Sequence, residues 1–254
     1  MSRYVRHNFH SRSGWLVHPR DPAVGHDLLA IGHTASVRPW ADPCVHLHQG
    51  SEECYLLLQG ELQLLVADLL LSLRPHEILL VRPGVPHAVV GGAGPIEHFG
   101  LRAPGRADKR VAGGIPSPLP APLQEQEREL WAEWGCRVPV EDPQNRNCWL
   151  IGAGVARFPS PFLIFAFLDF PTSEAANAGI GTRHRPHLHH RSWEYYGVLQ
   201  GRKRLQIEGE QVHVAAGELL AVPPGVCHAL QGRQAPFVGF TLRVPVILDD
   251  KVAC

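Results

Sequence analysis

Lysine is almost missing. Of 24 cationic side chains only Lys109, Lys203 and Lys251 are lysines, and the rest are arginine. Cations and anions balance at 24 each. That absence of net charge argues against a nucleic acid or an anionic membrane as partner. The arginine excess is read as compositional bias rather than as a binding signal. Cysteine is sparse too: the six residues at 44, 54, 136, 148, 227 and 254 contain no CxxC pair, which excludes a disulfide scaffold and predicts mostly reduced thiols. Long apolar runs are also lacking. The leucine-rich run 56–73 carries Glu61 and Asp68, and the run 162–170 is too short to cross a bilayer. The opening MSRYVRHNFHSRSG is basic and polar, without the apolar centre of a signal peptide. A soluble, cytoplasmic chain with no membrane partner is the expectation.

What is present is a repeat. HLHQGSEECYLLLQG from His46 matches HLHHRSWEYYGVLQG from His187, at an offset of 141 that holds without a gap from 46–91 to 187–232. Further on, FGLRAP (99–104) lies over FTLRVP (240–245), and Trp15-Leu16 resembles Trp149-Leu150 if about seven extra residues enter the second copy near 173–179. The 254 residues, 44% of them hydrophobic, thus divide into an N-terminal unit 1–112, a linker 113–145 and a C-terminal unit 146–254. In the linker, the proline-rich stretch 115–122 reads as extended, and 124–134 as a short helix rich in helix formers.

The rest reads as β: short runs of Leu, Val, Phe and Tyr punctuated by Gly and Pro. Expected strands are 53–59, 62–67, 78–82 and 87–90, with equivalents at 194–200, 204–208, 219–222 and 228–231. Many short strands imply an all-β sandwich or barrel, with a hairpin turn expected at Gly201.

Inside those strands sits ligand chemistry. Residues i and i+2 of a strand share a face, with Cα atoms about 6.5–7 Å apart. His187 and His189 therefore point the same way and can converge on one ion at roughly 2.1 Å from each nitrogen. Glu194 has the wrong parity for an unbroken strand, so a kink near His190-Arg191 must reset the face before Glu194, Tyr196 and Val198 alternate inward. His228 follows a Pro-Gly turn. The set recurs as His46, His48, Glu53 and His87. Three imidazoles and a carboxylate suit a divalent transition metal (Fe, Mn, Ni, Co, Cu or Zn) without choosing among them.

These spacings resemble the cupin superfamily, whose pattern is G(x)5HxH(x)4E(x)6G followed by G(x)5PxG(x)2H. The second copy matches through Gly181, His187, His189, Glu194, Gly201, Gly217, Pro223, Gly225 and His228. The first keeps His46, His48, Glu53, Gly60, Gly84 and His87 but carries Trp40, His76 and Arg82 in place of two glycines and the proline. The chain thus looks like a bicupin: two tandem double-stranded β-helix (jelly-roll) barrels joined by the Pro-rich linker with its short helix. The resemblance implies eight metal ligands, His46, His48, Glu53, His87, His187, His189, Glu194 and His228.

The resemblance also frames function. Quercetin-type dioxygenases and oxalate decarboxylases share the ligand set, which implies a dioxygenase-like oxidoreductase acting on a small aromatic or enol/carboxylate substrate. Glu53, Glu194 and Tyr196 are its candidate catalytic groups. The alternatives are a non-catalytic small-molecule-binding or sensor cupin, and a metal-dependent decarboxylase or isomerase. A storage protein is disfavoured by the retained ligands. A homodimer through strand edges is compatible with this class.

Other residues have weaker readings. Tyr55, like Tyr196, should face inward. His98 is a candidate proton donor in the first barrel. Arg102 and Arg243 are read as solvent or interface residues. Cys227 is read as an inert thiol. His184, Arg185 and His190 should form a rim, and Arg183 and Arg185 would favour an anion.

Overall fold

The computed structural model describes residues 3–10, 13–123, 129–140, 147–153, 158–178, 180 and 185–254, with only the backbone of 147 and 148. Two compact units result, one formed by Arg12–Val140 and one by Met1–Ser11 with Glu141–Cys254. Each is built on a sheet of ten strands. We refer to them as the first and second barrel.

One long strand organises each barrel: Glu52–Val66 in the first and Trp193–Ile207 in the second. The first half of Glu52–Val66 pairs with Glu77–Val81, the second half with Leu69–Leu73, and its whole length with His87–Ala103. Trp193–Ile207 does the same with Glu218–Val222, Glu210–Ala215 and His228–Val244. The hairpin turn expected at Gly201 is not there. Gly201, at φ +78°, and Gly60, at φ +82°, instead mark register shifts where the long strand bends and continues. The chain reverses at Glu208-Gly209, both at positive φ, which suits a two-residue turn between twisted strands.

The bend switches parity. Tyr55 and Leu57 face the core before it, and Leu62, Leu64 and Val66 after it. In the second barrel Tyr196 and Val198 face the core before the bend, and Leu205 and Ile207 after it. Each fully buried leucine in such a row is worth about 1.5–3 kcal/mol over its exposed state, so the rows fix the register that positions the site.

Two segments fall outside the expected boundaries. Val5–Asn8 pairs with Glu218–Val222 and so completes the second barrel. In the first barrel the corresponding place beside Glu77–Val81 is taken by Gly135–Pro139, from the stretch read as linker. The expected helix over 124–134 also differs. Leu130–Ala132 is a strand, because it pairs with Gly135–Pro139 in a short hairpin, and 124–128 lie outside the described residues. The described helix is Ser173–Asn177, where extra residues were expected. The Thr172 side chain caps it by accepting from Ala175 N.

The cysteine expectation needs correction as well. Cys227 is bonded to Cys254, because Lys251–Ala253 runs back along His187–His189, itself paired to His228. A partner 27 residues away left no motif. Cys44, Cys54 and Cys136 are free. No described helix is long and apolar enough to cross a membrane.

Candidate metal centres

Three strands build each centre. In the first barrel His46 and His48 alternate on Val45–His48, Glu53 lies at the start of Glu52–Val66, and His87 opens His87–Ala103. His46 is paired directly to His87. In the second, His187 and His189 bound their strand, His187 pairs with His228, and a break at 190–192 resets the face before Glu194.

The geometry repeats closely. Glu53 Oε2 lies 3.6, 3.2 and 2.8 Å from the Nε2 atoms of His46, His48 and His87. Glu194 Oε2 lies 3.8, 3.3 and 2.9 Å from those of His187, His189 and His228. All four donor atoms of each group fall within 4.8 Å of one another. All six imidazoles are buried.

The outer nitrogens explain the aim. His87, His187 and His228 each place Nδ1 2.9 Å from a backbone carbonyl, of Val85, Arg185 and Val226. Those carbonyls accept from Nδ1 and so turn Nε2, the atom a metal would take, inward toward Glu53 or Glu194. His48 Nδ1 donates to Asp108 Oδ1 at 2.8 Å, and Asp108 also accepts from Gly50 N and Ser51 Oγ. In the second barrel Asp250 lies 3.7 Å from His189 Nδ1 and accepts from Arg191 N and Ser192 N. Burial pushes the Glu53 and Glu194 carboxyls up, but the three histidines around each outweigh it and hold both well below the usual carboxylate range. An ionised carboxylate among three converging Nε2 atoms fits a divalent transition metal. Each group borders a cavity.

The cavities differ. The first, about 280 Å³, is lined by Tyr55, Trp40 and His98 beside the histidines. The second, about 510 Å³, is lined by Tyr196, Lys203, Arg233 and Arg243. Burial, with the neighbouring Glu53 or Glu194 carboxylate, pushes both tyrosine hydroxyls well above the ordinary phenol range, so each remains a proton donor. Tyr55 and Tyr196 thus face inward as expected, and so does His98. Arg102 and Arg243 are half-buried rather than solvent-facing. They line the cavities, with Nε buried and unbonded in both, because they follow the inward parity of the last long strand. Arg185 and His190 are exposed, whereas Gly181, Arg183 and His184 lie outside the described residues. Sequence reasoning missed Asp108 and Asp250, although an Asp-Lys pair recurs at 108–109 and 250–251. It also missed Lys203 and Arg233, which the repeat does not share.

The fold is that of two cupin-type barrels. Residues 178–236 match the family model described as "Cupin domain". Among solved structures, salicylate 1,2-dioxygenase from Pseudaminobacter salicylatoxidans is similar over 96% of this chain and 85% of its own, at 15% identity and a TM-score of 0.63. Oxalate decarboxylase from Lactobacillus farciminis is similar over 98% and 88%, at 13% identity and a TM-score of 0.57. Protein Ylba from E. coli is similar over 96% and 90%, at 11% identity and a TM-score of 0.59. A comparison with curated proteins finds no match.

Proposed function

We propose that the chain is a metal-dependent oxidoreductase of dioxygenase type acting on a small aromatic or enol/carboxylate substrate. His46, His48, Glu53 and His87, and His187, His189, Glu194 and His228, are the ligands in this reading. The observation that carries it is the convergence in each barrel of three Nε2 atoms and one carboxylate oxygen beside a cavity. A redox-active metal bound there would supply Lewis acidity and electron transfer at positions open to substrate.

The remaining roles belong to the chain's own side chains. Tyr196, protonated and beside Glu194, is placed to give a proton to a substrate oxygen, and Glu53 and Glu194 are the bases within reach of the same ligand sets. The similarity to a salicylate dioxygenase and to an oxalate decarboxylase supports the substrate range at the level of fold.

Oxygen uptake with flavonols, β-diketones and catechol-like compounds tests the reading. Uptake that disappears in His189→Ala supports it. Carbon dioxide release without oxygen consumption would replace it with the decarboxylase reading, and tight binding without turnover would replace it with the sensor.

A further inference from the structure

The two barrels share their ligand sets but not their cavity walls. Lys203 lies at the inward parity of Leu205 and Ile207, and the repeat places Leu62 in its position. It is only 1% exposed. Among the described residues no carboxylate forms an ion pair with it, and Glu194 acts on it only at a distance. Its ammonium nitrogen instead sits 4.3 Å from the Tyr196 ring centroid and 5.7 Å from that of Phe237.

Arg233 flanks the same Phe237 ring, with its guanidinium carbon 5.7 Å from that centroid and 5.0 Å from that of Phe170. It donates to the Ala176 carbonyl, and its Nε is buried without a bond. The equivalent residue in the first barrel is Gly92, where any Cβ would run into the Glu61 carbonyl. An arginine cannot be accommodated there.

Aromatic faces hold a cation without cancelling its charge. Lys203 and Arg233 are thus gripped by rings rather than by ion-paired carboxylates, and burial together with Arg233 pushes the Lys203 amine well below the ordinary lysine range against the pull of Glu194. Burying charge without a counter-ion is costly, and an anion entering the cavity would relieve that cost. Arg243, whose Nε is also unbonded, adds a third donor from beside Glu194 on the neighbouring strand. The first cavity has only Arg102 and Lys109 among its lining cations and includes Asp42. Three lysines exist in the chain, and all three line these two cavities. The one placed deep in a wall is in the second.

We propose that the second barrel, and not the first, is an anion-binding chamber in which Lys203 and Arg233 hold the carboxylate of a small substrate whose remaining oxygen faces His187, His189, Glu194 and His228. This rests on the reading of that site given above and adds which barrel takes substrate and which residues select it. At about 510 Å³ the cavity lies in the range of small-molecule sites.

Calorimetric titration of the full chain with benzoate, and with benzamide as its neutral isostere, tests the proposal. One benzoate per chain is expected, with benzamide weaker by roughly tenfold or more. Lys203→Met and Arg233→Gln should each weaken benzoate by a similar factor and leave benzamide unchanged. Lys203→Met removes a buried amine from an apolar row, so its melting temperature should not fall and lost binding cannot be ascribed to unfolding. Equal binding of the two probes, wild-type benzoate affinity in both variants, or no benzoate binding would overturn the proposal. Lys203-dependent benzoate binding in a protein that consumes no oxygen would leave this inference standing and remove the dioxygenase. Oxygen uptake on a carboxylate-bearing enol unaffected by Lys203→Met and by Arg233→Gln would do the reverse.

Discussion

Asp108 lies 2.8 Å from His48 Nδ1, on the side of the ring away from Glu53. Its carboxylate is fixed in turn by Gly50 and Ser51. Such a bond orients the ring and raises the basicity of the opposite nitrogen, and its loss typically weakens a metal by about 10–100-fold. Asp108→Ala should therefore weaken binding at one of two sites by that factor and leave the other unchanged. Competition with a chromophoric chelator reads both. Unchanged affinity at both sites would remove Asp108 from the account.

The Cys227–Cys254 bond ties the final strand to the residue before His228. The first barrel has Pro86 and Ala112 at the corresponding positions and so carries no such tie. Closing a 27-residue loop restricts the unfolded chain by about 3–4 kcal/mol as an upper figure. Reduction, or Cys254→Ser, should lower the melting transition of the second barrel and leave that of the first in place. Identical calorimetric traces with and without reductant would count against the bond.

Gly201 carries a prediction about the bend. At φ +78°, a Cβ there would collide with the Gln234 and Pro236 carbonyls. Gly201→Ala should cost about 2–4 kcal/mol. Gly209→Ala, at φ +83° with open space around it, should cost only about 1 kcal/mol. Urea unfolding of the two variants compares them, and equal costs would mean that the bend is not a close approach.

How much of this was legible is best judged at particular residues. The convergence of each group of three histidines and a glutamate was legible because HxH spacing on a strand fixes direction and the repeat supplied a second copy. The bend at Gly201 was misread as a turn because both need positive φ, and only the pairing with Glu218–Val222 and Glu210–Ala215 distinguishes them. Residues 130–132 have helix-forming neighbours but pair with Gly135–Pro139, a tertiary preference that outweighs local propensity. The pairing of Cys227 with Cys254 depends on where the last strand returns, which composition does not record. Lys203 was passed over as part of a compositional bias, since parity across a bend cannot be counted until the bend is known.

His98 gives a pH test. Burial, with His33 nearby, lowers its pKa from the ordinary 6.5 to about 4. The unfolded chain therefore holds more protons at this residue between those values. Its contribution to stability is complete above pH 6.5 and falls as pH drops toward 4, by about 2 kcal/mol at pH 5. His98→Phe keeps a ring beside Trp40 and Tyr55 and should remove that part of the slope. Urea unfolding at pH 8 and pH 5 measures it. A wild-type slope in the variant would mean that His98 is protonated in the fold.

Elemental analysis of bound metal, on protein purified without added ions and again after incubation with Mn(II), Fe(II) or Zn(II), is the most direct test. The account predicts up to two equivalents per chain, one in either His48→Ala or His189→Ala, and none when both are combined. Protein that stays metal-free after incubation, or a stoichiometry indifferent to both substitutions, would contradict it.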